Sequence, residues 1–143
     1  MVIGWLTVRC AAPAVALACL STLALAQNPD ATTVQGIARD WLVLTDRGDA
    51  GASWDAAARQ FRNALPRERW VDSLRKAREP LGALAQRAIL STTFATSFPG
   101  APDGNYAIVL FRTSFEKKAD AAETVTLERE ADGVWRVVGY LIR

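Results

Sequence analysis

A chain of 143 residues has room for one domain, and this one contains no histidine, two cysteines and a net charge of +2. The missing imidazole excludes a Ser–His triad and the common transition-metal ligand sets. The near-neutral balance argues against a nucleic-acid binder, which needs a strong positive field.

The chain opens as an export signal. Arg9 is the lone charge before an apolar stretch from Ala11 to Leu20, and the segment ends Leu23-Ala24-Leu25-Ala26-Gln27. A charged start, a short apolar middle and a small-x-small ending predict cleavage after Ala26. One alternative is a retained anchor, because Trp5 to Ala26 supplies the roughly 20 apolar residues of a spanning helix. Lipidation at Cys19, after Val15-Ala16-Leu17-Ala18, is another, disfavoured because it leaves an apolar stub before Gln27. Cleavage at Ala26 removes both Cys10 and Cys19, so the mature chain carries no disulfide, thiol nucleophile or thiolate ligand. Residues 27–33 are a polar lead-in, and 34–143 form the expected single α+β domain, periplasmic or secreted, with no membrane span after processing.

Three helices are expected first. Val34, Ile37, Ala38, Trp41, Leu42 and Thr45 recur at helical spacing, predicting a helix over about 30–46 with Asp30 or Thr32 as cap and Gly48 beyond its end. Trp54, Ala57, Ala58, Phe61 and Leu65 predict a second, capped by Ser53 and closed by Pro66. Pro66 then opens a third, whose stripe is Trp70, Leu74 and Ala77 and which ends before Pro80 and Gly82. Each helix is expected to bury one tryptophan.

After Gly82 the period changes to two. Leu90, Thr92, Phe94, Thr96 and Phe98 share a parity within 84–98, and the run from Pro99 to Asn105 is a loop. In 106–115, Ala107, Val109, Phe111, Thr113 and Phe115 alternate with a second apolar set, Tyr106, Ile108 and Leu110. A strand apolar on both faces is expected to be central, either covered on both sides or used for self-association through the sheet. Glu116 to Asp120 reads as a polar connection to a third strand over 123–130. Asp132-Gly133 turns into a fourth over 134–142, with Trp135, Val137 and Leu141 on one parity. Helices followed by an antiparallel meander mean α+β. The expected layout is three helices on a curved four-stranded sheet, a cystatin-like or nuclear-transport-factor-two-like cone.

The residues Trp41-Leu42 with Asp46 and Gly48, Ser53-Trp54, Phe61, Trp70, Arg78-Glu79-Pro80-Leu81-Gly82, Arg87, Pro99-Gly100, Pro102-Asp103-Gly104, Tyr106, Phe111-x-Thr113-x-Phe115, Glu123 and Gly133-x-Trp135-Arg136-Val137-x-Gly139-Tyr140 run in order through every element. In these the chain resembles domain-of-unknown-function family 4019, small and mostly exported bacterial proteins. The resemblance implies export and a single domain, and no activity.

Candidate chemistry is limited to carboxylates and guanidiniums. A carboxylate in an apolar pocket, from Asp40, Asp46 or Glu79, facing Tyr106 or Tyr140, would suit an isomerase, dehydratase or cyclase acting on a small apolar substrate. Arg78 and Arg87 are candidates for holding an anionic group bidentately. The alternative is that Arg78 and Glu79 staple the third helix to the first strand. Arg112 interrupts an apolar strand face, so it lines a pocket, crosses a dimer seam or sits at an edge with its head in water. The basic run from Arg59 to Arg78 is read as the solvated side of two helices. The ligand-binding set is therefore Arg78, Arg87, Arg112, Tyr106 and Tyr140, with no metal, no cofactor and no catalytic residue assigned. The leading expectation is a non-catalytic module that binds a protein or small molecule in the cell envelope.

Overall fold

The computed structural model describes residues 29–143; the expected leader and cleavage site, with Asn28, lie outside them. Helix α1, Pro29–Asp46, places Val34, Ala38, Trp41, Leu42 and Thr45 in the core, the stripe its spacing predicts. It begins one residue before Asp30, so Asp30 lies in the first turn, where a carboxylate favours the helix dipole.

The expected second helix is two. Helix α2, Ala50–Asp55, and helix α3, Arg59–Ala64, are separated at Ala56–Ala58. The break has a tertiary cause: Ala58 N–H donates to the Val137 carbonyl at 2.8 Å, tying the chain to the last strand instead of continuing the helix. Ala57, Ala58 and Phe61 are nevertheless buried as their spacing requires. The cap is Asp49, whose side chain accepts from Ala52 N–H, while Ser53 is fully buried inside α2. Pro66 caps helix α4, Arg67–Arg78, which buries Trp70 and Leu74 but leaves Ala77 exposed. A 3₁₀ turn, Glu79–Leu81, follows, and Gly82 at φ 73° turns the chain into the sheet.

Strands β1, Leu84–Ala95, β2, Tyr106–Phe115, β3, Lys118–Arg129, and β4, Trp135–Ile142, form one antiparallel sheet in sequential order. β3 starts at Lys118 rather than Glu123, so most of the expected polar connection is strand. Bulges change two expected parities. The register shift between Ile89 and Ser91 makes Leu90 an extra residue, 57% exposed, while Arg87, Ile89, Thr92 and Phe94 stand opposite the buried face of β2. A second shift, at Val138, turns Tyr140 toward the core and leaves Leu141 46% exposed.

The buried face of the sheet (Ala107, Val109, Phe111, Val125, Leu127, Trp135 and Val137) meets the α1 stripe and Trp70 and Leu74 of α4 in one core. β2 is central, as its two apolar faces predict, but α1 covers only one of those faces.

Candidate functional site

Six elements each send one polar side chain to the same place, where the ends of α1 and α4 meet the sheet. Asp46 is the last residue of α1 and Arg78 the last of α4. Arg87 comes from β1, Thr113 from β2, Glu123 from β3 and Tyr140 from β4. Glu123 stands between Ala121 and Val125 on the buried parity of its strand, which makes it 0% exposed. Its carboxylate accepts from Arg87 Nε at 2.7 Å, a second Arg87 nitrogen at 3.1 Å, Thr113 Oγ1 at 2.6 Å and the Tyr140 hydroxyl at 2.6 Å. Arg78 approaches it at 3.4 Å.

Asp46 completes the balance. It accepts from Arg78 at 2.6 Å and from two Arg87 nitrogens at 2.7 and 2.9 Å. Two carboxylates thus face two guanidiniums, and charge-assisted pairs of this geometry are the strong kind of hydrogen bond. The Arg78 guanidinium also lies over the Phe115 ring, 4.7 Å from its centre. The Tyr140 ring stands edge-on to Trp41 and Trp70, with centroids 5.4 and 6.3 Å away. Both indoles end on Ser53: Trp41 Nε1 donates to its carbonyl at 2.8 Å and Trp70 Nε1 to its hydroxyl at 2.9 Å.

These contacts set the protonation states. Burial pushes the Asp46 carboxyl up, but hydrogen bonds from Arg87 and Arg78, with their charges, overcome it and hold the group below 3.8. Burial, then the Glu123 charge and hydrogen bond, push the Tyr140 phenol well above 10, against a smaller opposing effect of Arg78. Burial works against the charge on both arginines, yet their acidic partners raise both above the ordinary value and keep them cationic.

A cleft of about 430 Å³ opens beside this network, between the end of α1 and α4. Ala50, Val71, Leu74 and Ala83 make its apolar wall, and Thr45, Asp46 and Arg78 its polar floor. A smaller pocket of about 230 Å³ lies on the other side, between α1 and β1, and Asp46 lines that one as well.

The sequence model of the family described as "Protein of unknown function (DUF4019)" matches residues 37–140, a span that contains all six network residues. The chain belongs to that family. Among solved structures this DUF4019 protein is similar to Aln2 from a Streptomyces species, at 16% identity and a TM-score of 0.50 over 82% of this chain and 92% of that one. A protein from Catenulispora acidiphila is similar at 16% identity and a TM-score of 0.50, over 79% and 89% of the two chains. At such identity the likeness is one of fold alone. No curated protein matches the sequence.

Of the residues singled out from the DUF4019 sequence, Asp46, Arg78, Arg87 and Tyr140 come together. Arg78 ties α4 to α1, β3 and β4, and Glu79 is exposed, so the expected staple to β1 takes a different form. Tyr106 lies at the far end of the sheet, where its hydroxyl donates to the Pro102 carbonyl at 2.7 Å and its ring packs on Phe98. Arg112 is on the sheet face away from α1, in water, with Asp120 at 3.9 Å. Asp40 is exposed. In the basic run, Arg75 and Lys76 share Asp72, both at 2.7 Å, on the exposed side of α4. Glu123 and Thr113 were not singled out as site residues. The signal for them was an acid on the buried parity of an otherwise apolar strand.

Proposed function

We propose that this chain is an exported, non-catalytic binding module whose α1–α4 cleft takes a small, largely apolar ligand with a hydrogen-bonding head. The α+β layout fits a cystatin-like or nuclear-transport-factor-two-like cone, with the cleft at its helical end. Export rests on the charged start, apolar middle and Ala-x-Ala ending of the N-terminus. No helix among the described residues is long and apolar enough to cross a membrane.

The observation that carries the non-catalytic reading is the state of the acids at the cleft. A general base works best with a pKa near the operating pH. Asp46 is held below 3.8 by two guanidiniums, and Glu123 is enclosed by four donors. Both are already charged hydrogen-bond acceptors, Asp46 for three guanidinium donors. Asp40 is exposed, and Glu79, although it borders the cleft, is exposed to water rather than enclosed by the apolar wall.

The volume of about 430 Å³ is within the range of small-molecule sites, and the mix of aliphatic wall and few polar groups is the usual one. Native mass spectrometry of the protein purified from a bacterial host tests the reading. Wild type is expected to retain a small organic molecule that Val71→Trp, which fills the cleft, does not. Retention of the same molecule by the folded variant rejects the cleft, and its chemical conversion by wild type rejects the non-catalytic assignment.

A further inference from the structure

The floor of the α1–α4 cleft is charged but balanced. Asp46 and Arg78 line it, and both belong to the network of two carboxylates and two guanidiniums. Their side chains are 16% and 11% exposed, and Arg87 and Glu123 behind them 10% and 0%. A ligand that brings a further charge finds no partner left in this set. A carboxylate head meets Asp46 and an ammonium head meets Arg78, like charge against like, after giving up its own hydration. The remaining charges of the cleft are at its rim. Arg75 is exposed and shares Asp72, and Glu79 is exposed, so water and salt screen both.

Hydrogen-bonding capacity is nevertheless left over, of both kinds. Arg87 is fully engaged, with bonds of 2.7 to 3.1 Å to both carboxylates. Arg78 is not. Its Nη2 donates to Asp46 at 2.6 Å, but Nη1 has only long contacts of 3.4 Å, to Thr45 Oγ1, Glu123 Oε1 and the Tyr140 hydroxyl. Asp46 accepts two bonds at Oδ1 and one at Oδ2, whereas a carboxylate takes about four. One loosely used donor thus stands beside one unfilled acceptor position.

Given the cleft as the binding site, a reading on which this rests, we propose that its ligand is an aliphatic chain with an uncharged head that both accepts and donates, a carboxamide or a hydroxyl. The head oxygen accepts from Arg78, and its N–H or O–H donates to Asp46. The floor then gains a matched dipole and no net charge. The chain lies along Ala50, Val71, Leu74 and Ala83. Fatty carboxylates and fatty amines are the molecules this floor rejects.

NMR titrations at neutral pH with octanamide, octanol, octanoate and octylamine compare four heads on one chain. Octanamide and octanol are expected to bind wild type at least about 10-fold more tightly than either charged probe. A neutral head also partitions better into any apolar site, so a charge change supplies the specific arm. Asp46→Asn leaves the network with one positive charge in excess, and octanoate is expected to gain about 10-fold on octanamide while octylamine does not. The wild-type order stands as the test where that variant does not fold. If octanoate or octylamine binds best and Val71→Trp abolishes it, the cleft stands and the uncharged head is overturned. An unchanged order in folded Asp46→Asn overturns it too. Binding of none of the four, or binding that survives Val71→Trp, overturns the cleft and this inference with it.

Discussion

Glu123→Gln keeps the shape of the side chain and removes its charge. The residue is 0% exposed, and its two cationic neighbours are nearly as enclosed, with Arg78 and Arg87 side chains 11% and 10% exposed. The variant leaves two guanidiniums facing Asp46 alone, an uncompensated positive charge where water screens little. Removing one partner of a buried ion pair costs about 3–5 kcal/mol, and because Asp46 still supplies one carboxylate the lower end, about 3 kcal/mol, is expected. A domain of this size has only about 5–15 kcal/mol in total. In urea unfolding at one protein concentration, with a slope of about 1–3 kcal/mol/M, the midpoint should fall by roughly 1–3 M. Pairing the change with Arg87→Gln removes the stranded charge too, so the double variant should lose less than the sum by about 1 kcal/mol or more. A midpoint shift below about 0.3 M, or strictly additive losses, would refute the description of these side chains as one balanced network.

Other expectations follow from the same geometry. Asp46 has a folded pKa below 3.8, so its contribution is present at neutral pH and lost as pH falls below that value; the urea midpoints of wild type and Asp46→Asn should converge between pH 5 and pH 2, and parallel curves would contradict it. Tyr140→Phe deletes the 2.6 Å hydrogen bond to Glu123 and is expected to cost about 1.5–3 kcal/mol in the same assay. An ultraviolet titration should show the Tyr140 phenol ionising only well above pH 10, against the control of that variant. Gly82→Ala demands φ 73° of an alanine and sets its Cβ 2.9 Å from Glu116 Oε2, so a loss of about 1–2 kcal/mol should appear in thermal melts, while Gly36→Ala, in open space on α1, should lose nothing.

Much of the architecture is written locally in the chain. The period of Val34, Ala38, Trp41 and Thr45 produced α1, that of Trp70 and Leu74 produced α4, and strict alternation from Ala107 to Phe115 produced β2 with its bounds. Period, turn glycines and caps act between residues a few positions apart, so one sequence is enough to read them. The α+β order followed from the switch of period at Gly82. Asp46, Arg78, Arg87 and Tyr140 were legible as candidates because they stand out by residue type.

What the sequence left open depends on residues far apart meeting in space. Ala56–Ala58 has helical spacing, and only the bond to Val137 breaks the helix there. Leu90 and Leu141 have the right residue type for the core, but bulges set by the neighbouring strands turn them out. Tyr106 and Arg112 looked as chemical as Tyr140 and Arg78, yet the register carries one to the far end of the sheet and the other to its opposite face. The charged network needs Asp46, Arg78, Arg87, Thr113, Glu123 and Tyr140 brought together from six elements. No local period encodes which acid meets which guanidinium, because that pairing is fixed only when α1 and α4 close over the sheet.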